Sequence, residues 1–412
     1  MLLSFPTVLG LVLAVAYCQN NAPVPANQNI ASSLSQANTR GTRASPTLQL
    51  VYVVTHHGTI GPMLTFPTNP YQPNDTSLWP SGSGELTQIG RMHMYKLGEK
   101  VRSMYDGFLD QTYRAEDFKA NSLVNSRALE SAELFLAGLY PPRGFQVWNK
   151  DLLWQPIAVF PTLYDHEDVL NVTGENICPK FRDAQTRSLL EADKLYNSSL
   201  TNLMRDIIPN TGIDVEQFKE KFGDTYREHI MMTVWHALKF IADNGLTLPQ
   251  WARQAYSEPL ISLRSKIEAA YLSGSFDQIR LLEGELFREI VDMFRSKANN
   301  SPDVRRMYYY SGRDHTILSL LLMLGQQNGR YVDTGSALIY ELHRNPSTGN
   351  FYVQALYIDG SSPNLAPEDI NIQSCGPPCD LYDLLNVTEK YYNITNWDQE
   401  CILEPAKCCC TM

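Results

Sequence analysis

The sequence has few basic side chains for its size. Its 412 residues hold 34 Lys and Arg against 44 Asp and Glu, so the formal net charge is −10 at pH 7. A protein that binds nucleic acid neutralises phosphates with clustered basic side chains, and this chain has no surplus of them. The composition therefore argues against a nucleic-acid partner, and acidity of this size favours solubility.

Long apolar runs are also missing after the N-terminus. Residues 1–18 hold one apolar stretch of signal-peptide length, with Ala14 and Ala16 in an A-x-A arrangement but without the usual basic residues before it. Residues 19–46 are rich in Asn, Ser, Ala and Pro and are typical of a disordered lead-in. No later stretch is long and apolar enough to span a bilayer. We therefore expect a secreted protein without a membrane span.

Cysteine is scarce, with eight residues in the chain. In the oxidising compartment that a signal peptide implies, most of them should pair. Cys375 and Cys379, in "SCGPPCD", are able to close a short loop, and they lack the second ligand pair that a zinc site needs. Cys18 lies at the predicted cleavage point, and the pattern assigns no role to Cys408–Cys410. Six N-x-S/T sequons predict glycosylation, at Asn74, Asn171, Asn197, Asn299, Asn386 and Asn393.

Internal repeats and low-complexity tracts are absent, and the apolar pattern changes along the chain. "LQLVYVV" and "RRMYYYSG" are apolar runs of strand length, while "SALIYELHR" and "NFYVQALYI", joined by "NPSTG", predict a hairpin. The middle of the chain is mostly helical in pattern. We predict an α/β domain from residues 47–145 and 301–401, a mostly helical insert over 146–300 and a cysteine-rich tail over 402–412.

Three helix ends can be predicted from the sequence. Periodic apolar residues begin at Leu86, and Ser83 or Gly84 is the predicted cap of that helix. "SRALESAELFLAGLY" predicts a second helix, which the two following prolines stop. "DHTILSLLLMLGQ" predicts a third helix that opens at Asp314.

Two strands run directly into segments whose side chains carry chemistry, "HHGTIGP" and "SGRDHT". Between them lie "LWPSGSGELTQIGRMHMYKLGEKVRSMY", "RALESAELFLAGLYPP", "LLWQPIAV" and "NICPKF". From about residue 48 to residue 401 this order of segments resembles the histidine acid phosphatase family, branch 2 of the histidine phosphatase superfamily, and within it insect venom and salivary acid-phosphatase-like proteins. The resemblance implies a Rossmann-like α/β domain with a central sheet and a smaller helical domain that covers the site.

The resemblance also implies phosphomonoester hydrolysis in two steps. A neutral histidine attacks phosphorus to form a phosphohistidine, a carboxylic acid protonates the leaving alcohol, and water then releases phosphate. His57 stands at the nucleophile position and Asp314 at the acid position. Gly58 is also kept, at a point where the backbone must pass close to the phosphate. The family chemistry implies neither a cofactor nor a metal.

The cationic cradle that the family builds around phosphate is altered in this chain. His56 and Ile60 stand at the two arginine positions of the first motif, Asn121 at a third arginine position, and Arg313 at the histidine before the acid. Loss of one such donor costs on the order of a hundred- to a thousandfold in rate. Ile60 is the most severe change, because an apolar side chain replaces a forked donor facing the anion.

Disulfides and partners are implied by the same resemblance. Cys178 and Cys401 align with a long-range disulfide pair of the family, and Cys375 and Cys379 align with its short-loop pair. A third disulfide pair of the family has no counterpart in this chain. A small phosphorylated or other pocket ligand is the expected partner. Family members often dimerise, so a homodimer is a further expectation.

Each residue at the site also has a simpler interpretation. Asp314 is placed to cap its helix, which is compatible with a role in the site. Arg127 matches a family arginine, and its expected role is a structural ion pair. His315 aligns with a family threonine, and we expect it to be a polar side chain with hydrogen-bond partners. We expect His93 to lie either in the core or at the rim of the site. A metal-ligand set is the remaining alternative, formed by His56, His57, Asp314 and His315.

Two hypotheses for the function follow. In the first, a secreted glycoprotein keeps the nucleophile and the acid, but its phosphatase activity is much reduced or absent. In the second, Arg313 and a protonated His56 rebuild the cradle of a working acid phosphatase. The second predicts an acidic optimum, because a histidine carries charge only near or below its ordinary pKa of about 6.5.

Overall fold

The computed structural model describes residues 43–162, 178–258, 260–326, 330–373 and 375–403. The predicted signal peptide, nearly all of the predicted lead-in, the sequon at Asn171, Cys18 and Cys408–Cys410 lie outside these ranges.

A mixed β-sheet forms the centre of the described chain. Its order is β3-β2-β4-β1-β5-β6-β7, with β8 beside β6. The neighbours from β3 to β1 are parallel, and the pairs that involve β5 to β8 are antiparallel. The strands are β1 Leu48–His56, β2 Phe118–Ser122, β3 Val159–Pro161, β4 Met307–Gly312, β5 Ala337–Arg344, β6 Phe351–Ile358, β7 Pro367–Ile370 and β8 Cys379–Asp380.

Helices connect and cover these strands. Between β3 and β4 the described chain is mostly helical, as the sequence pattern predicts. The helices are α1 Gln88–Met104, α2 Ser126–Leu139, α3 Pro179–Thr211, α4 Val215–Phe222, α5 Tyr226–Asp243, α6 Gln250–Ala255, α7 Leu260–Ser273, α8 Phe276–Ala298, α9 Asp314–Met323, α10 Leu381–Tyr392 and α11 Trp397–Glu400.

Strand β1 is buried along nearly its whole length because helices cover both faces of the sheet. Leu50, Tyr52 and Val54 pack in one core with side chains of α8 and α9. The alternate residues Val51 and Val53 pack in a second core with side chains of α1 and α2. The predicted buried strand, the predicted strand at β4 and the predicted β5–β6 hairpin are confirmed.

The chain between β3 and β4 has its own apolar core. Side chains of α3, α5 and α7 meet there, including Leu200, Ile230 and Ile267, and Phe66 from the loop after β1 joins them. The sequence boundaries of an α/β domain and a helical insert stay a prediction. Within the described residues, no helix combines the length and the apolar character that a bilayer span requires.

Two predicted helix caps are wrong. Thr87, rather than Ser83 or Gly84, caps α1, and its hydroxyl accepts from the Gly90 N–H at 3.3 Å. Leu86 pairs with Ile60 in an isolated bridge, so the chain is still extended one residue before the cap. At α9 the cap is Arg313, and Asp314 is the first helical residue.

Two disulfides close the described chain, Cys178–Cys401 and Cys375–Cys379, and they are the pairs that the family resemblance implies. The first joins residues separated by 223 positions, and so fixes the start of α3 to the end of α11.

Candidate active site

The site forms where two parallel strands end side by side. His56 at the end of β1 lies beside Gly312 at the end of β4. The residues that follow, His57 on one strand and Arg313 and Asp314 on the other, therefore emerge at the same edge of the sheet. Ligands bind at this edge in open α/β sheets, because the loops after the strands converge there.

The hydrogen bonding of His57 leaves one ring nitrogen free to react. Its Nδ1 lies 2.9 Å from the Gly58 carbonyl oxygen, which only accepts, so Nδ1 carries the proton and Nε2 keeps its lone pair. Burial is the main cause that holds the pKa of His57 well below its ordinary value, and the neighbouring His56, Arg127 and Arg313 add to it. The ring is therefore a neutral imidazole, which is the nucleophilic form.

Gly58 is required by a close approach between the loop and helix α1. A Cβ built on Gly58 would lie 2.5 Å from the Gly90 carbonyl oxygen. A side chain at this position would push the loop away from α1 and displace His57. The Gly58 N–H also donates to the Ser131 hydroxyl at 3.0 Å, which ties the loop to α2.

A loop that the sequence analysis did not single out holds the nucleophile segment from the other side. His56 Nδ1 lies 3.0 Å from the Asp333 carbonyl oxygen, and the Gly335 N–H donates to the His57 carbonyl at 2.9 Å. The Asp333 carboxylate in turn pairs with Lys239 of α5 at 2.7 Å. This ion pair connects the helical part of the chain to the loop that holds the nucleophile segment.

His56 contributes little charge to the site near neutral pH. It is 6% exposed, and burial lowers its pKa below the ordinary value of a histidine, although Asp314 works in the opposite direction. A protonated His56 is therefore less favourable than an exposed histidine would be.

Ile60 is enclosed by the neighbouring segments, so little of its apolar surface reaches solvent. Its side chain is 3% exposed, its backbone pairs with Leu86, and its carbonyl accepts from the Asn244 amide at 3.2 Å. The loop has packed this position inward against the neighbouring segments.

Asn121, at the third arginine position, lies beside a carboxylate. Its amide donates to Glu289 of α8 at 3.4 Å, and Tyr52 donates to the same carboxylate oxygen at 3.2 Å. Burial raises the pKa of Glu289. Asn121 therefore places no positive charge at its position, and its amide donates to the Glu289 carboxylate.

Two guanidinium groups do act on the nucleophile. Arg313 and Arg127 are both half-buried, and the charge of each disfavours protonation of His57. Arg127 was expected to serve a structural ion pair, and the structure brings its charge within range of His57. The sequence motif marks the residue but does not reveal that the first turn of α2 faces the site.

Asp314 is held as a carboxylate. Its Oδ1 accepts from the His315 backbone N–H at 2.8 Å and lies 3.3 Å from His315 Nδ1. Burial alone would raise the pKa of Asp314, but His315 and His56 outweigh it, and the pKa lies well below its ordinary value. Because 32% of the side chain is exposed, water weakens these effects. The pKa of His56 is itself lowered, and the hydrogen bond from the His315 backbone N–H is a contribution that does not require a protonated histidine.

The remaining site candidates are placed as follows. His93 is half-buried at the site rim, where its ring packs against Gly335, and burial lowers its pKa. His315 is buried and has polar partners, as its simpler interpretation predicts. In the part of the chain that the structure describes, no group of three or more His, Cys, Asp or Glu side chains is arranged to hold a metal ion.

Comparison with known proteins identifies the family. The model of the histidine phosphatase superfamily (branch 2) matches residues 22–358. The chain belongs to this superfamily. Lysosomal acid phosphatase from Homo sapiens is 31% identical over 363 residues, which cover 86% of this chain and 80% of that protein. Prostatic acid phosphatase from Bos taurus is 28% identical over 370 residues, 89% of this chain and 90% of that one.

A solved structure shares the fold. A phytase from Hafnia alvei in complex with tartrate superposes with a TM-score of 0.63 over 87% of this chain and 99% of its own. At 16% identity this likeness shows the architecture alone. The predicted α/β fold with a central sheet is confirmed, whereas the narrower resemblance to insect proteins stays a prediction.

Proposed function

We propose that this histidine phosphatase family member is a secreted glycoprotein whose phosphomonoester hydrolysis is weak or absent. Two of the four family cradle positions, Ile60 and Asn121, supply no positive charge in this fold, and this observation carries the proposal. Each lost donor costs on the order of a hundred- to a thousandfold, and such losses are not additive. His57 and Asp314 remain, so a small phosphorylated or other anionic ligand is the expected occupant.

A working acid phosphatase is the second candidate. Arg313 and Arg127 place two cations near His57, and the nucleophile is neutral with Nε2 free, which favours this candidate. The lowered pKa of His56 works against it, because the rebuilt cradle needs His56 in its protonated form.

An assay of the purified protein separates the two. Hydrolysis of a generic phosphomonoester is measured from pH 4 to pH 7 for the native chain, His57→Ala and the control His236→Ala, which removes a half-exposed histidine of α5. We expect the native kcat/KM to lie at least about a hundredfold below that of a prostatic acid phosphatase assayed in parallel. Turnover at the relative's rate that His57→Ala abolishes and His236→Ala preserves would establish the second candidate.

Export and glycosylation are supported by the placement of the sequons. The five that fall in the described residues are all exposed and therefore accessible to a glycosyltransferase, namely Asn74, Asn197, Asn299, Asn386 and Asn393. Both disulfides suit an oxidising compartment.

We also propose a homodimer that uses the β3 edge of the sheet. β3 ends the strand order, so one side of it has no partner strand in the described chain. Large apolar side chains are exposed before the strand, with Phe145 86%, Trp148 59% and Leu153 75% exposed, and within it, with Phe160 51% exposed. An open edge beside an apolar patch is a surface that a second copy can cover.

A further inference from the structure

His315 lies between two carboxylates in a chain of close polar contacts. Its Nδ1 is 3.3 Å from Asp314 Oδ1, and its Nε2 is 4.0 Å from Glu283 Oε1 of α8. The His315 and Glu283 side chains are only 8% and 9% exposed, so water screens the contact between these two poorly, whereas the Asp314 side chain is 32% exposed. The ring is thus aimed at the carboxyl group that the family reaction needs as an acid.

A general acid must carry a proton before the leaving group departs. Hydrogen bonds donated to a carboxylate favour its charged form and hence remove that proton. Asp314 Oδ1 receives the His315 backbone N–H and faces the same residue's ring nitrogen. Asp314 also stands in the first turn of α9, where the helix dipole favours a negative charge.

We propose that His315 is a positioning residue that keeps Asp314 in its proton-accepting form and thereby disables the acid step independently of the missing arginines. This inference rests on the proposed function, in which the chain is a weak or inactive phosphatase. The resemblance aligns this position with a family threonine, whose hydroxyl is a neutral hydrogen-bonding group without a titratable ring. The acid defect therefore has its own residue, distinct from the altered cradle.

The titratable and charged groups that act on Asp314 come from three elements. His56 approaches from the end of β1, and His315 belongs to α9 itself. Glu283 of α8 stands behind His315, and Arg313 directly precedes Asp314 in the chain. Of these groups, His315 is the one whose backbone N–H donates to the carboxylate while its ring nitrogen lies 3.3 Å from the same oxygen.

Two substitutions separate the donor to Asp314 from the contact with Glu283. In His315→Asn the amide nitrogen takes the place of Nδ1, so a donor to Asp314 is kept. In His315→Gln the amide reaches the place of Nε2, so the Glu283 side is kept and the donor to Asp314 is lost. The two variants remove the same ring, which controls for changes in packing.

The direct measurement is the titration of Asp314. Carboxyl carbon resonances of Asp-labelled protein are followed over pH, and Asp314 is assigned by its disappearance in Asp314→Asn. We expect His315→Gln to raise the pKa of Asp314 by about one unit or more and His315→Asn to change it by less than half as much. Equal titration of Asp314 in the native chain and both folded variants would overturn the inference.

Turnover supplies the second readout. When His56→Arg and Ile60→Arg restore part of the cradle, adding His315→Thr is expected to raise kcat by about tenfold near pH 5. Adding His236→Thr, which removes a histidine from an equally long 4.0 Å pair with Glu268, is expected to change nothing. A gain in kcat from the arginines with no further gain from His315→Thr would refute the inference about His315 and leave the proposed function unaffected.

A native chain that hydrolyses phosphomonoesters rapidly would refute the proposed function. The titration of Asp314 would still decide the role of His315.

Discussion

At the scale of single residues, the nucleophile is intact and its surroundings are not. His57 is neutral, with Nδ1 committed to the Gly58 carbonyl and Nε2 free. The dianion that it would attack needs compensating charge in the transition state. Arg127 and Arg313 supply some of that charge, so the residual activity depends on how far two guanidinium groups replace the full cradle.

Restoring arginines tests this dependence. We expect His56→Arg to raise kcat/KM on a phosphomonoester by about tenfold or more, and Ile60→Arg to add to the gain. His56→Lys is the control, since it adds the charge without the forked geometry and should gain less. Ile60 is 3% exposed, so an arginine there is also expected to cost a few kcal/mol in urea unfolding. A folded double variant no faster than its parent would place the defect outside the cradle.

The sequence motifs identify His57 and Asp314 because the residues around them keep a specific order. They do not reveal which distant groups set the environment of each. His56 bonds to Asp333, 277 positions away, and this partnership has no local pattern that a reader of the sequence can detect. The inward packing of Ile60 and the approach of Arg127 to His57 are likewise consequences of tertiary structure.

At the scale of elements, α3 and α5 place the buried Glu228 near a second, partly exposed acidic side chain, Asp193. Glu228 of α5 is fully buried and interacts with Asp193 of α3, which also pairs with Arg227 at 2.5 Å. Burial is the main cause that raises the pKa of Glu228 to about 8, and the neighbouring Asp193 adds to it. The folded protein therefore holds a proton that the unfolded chain releases near pH 4.5.

The sign of the resulting pH dependence follows from this difference. Glu228 contributes stability that is present in full below pH 4.5 and is lost as the pH rises through about 8. Buried histidines such as His57 and His93 act oppositely, but only below their unfolded pKa of 6.5. From pH 6.5 to 8 we expect Glu228 to lower the free energy of unfolding by about 2 kcal/mol.

Urea unfolding at several pH values between 6.5 and 8.5 checks this expectation. Glu228→Gln keeps the shape of the protonated side chain and should flatten the decline over this interval. Glu220→Gln, at an exposed position of α4, is the matched control and should leave the decline unchanged. A native protein whose stability does not fall in this interval would contradict the buried protonated Glu228.

Element prediction succeeds where the pattern is long and apolar. β1, β4 and the β5–β6 hairpin are visible in sequence because their residues are buried between helical layers or paired over eight positions. β2 and β3 are not visible, since "FKANS" carries polar residues and "VFP" is only three residues long. β2 is a strand because it pairs with the edge of β4, and β3 is a strand because it pairs with β2. Both strands therefore depend on tertiary contacts rather than on their own sequence pattern.

At the scale of the whole molecule, the sheet is assembled from both ends of the chain. β4, near residue 310, lies between β1 and β2 in the sheet. The nucleophile segment and the acid segment are therefore neighbours in space, although the helical middle of the chain separates them in sequence. The family resemblance predicts this assembly. The apolar pattern of the sequence alone predicts that strands are present but does not predict their order in the sheet.

The homodimer is the prediction that concerns the molecule as a whole. Two copies related by a two-fold axis at β3 would pair their edges antiparallel and cover the exposed side chains of Phe145, Trp148, Leu153 and Phe160. We expect sedimentation velocity of the native chain at micromolar concentration to give a dimer. Leu153→Asp should give a monomer, because the second copy would have to bury a carboxylate.

A matched variant excludes a general effect of the added charge. Leu195 of α3 is 75% exposed, as Leu153 is, but lies in a different part of the chain. Leu195→Asp is therefore expected to remain a dimer. If the native chain sediments as a monomer at tens of micromolar, or if both aspartate variants dissociate equally, the β3 edge is not the interface.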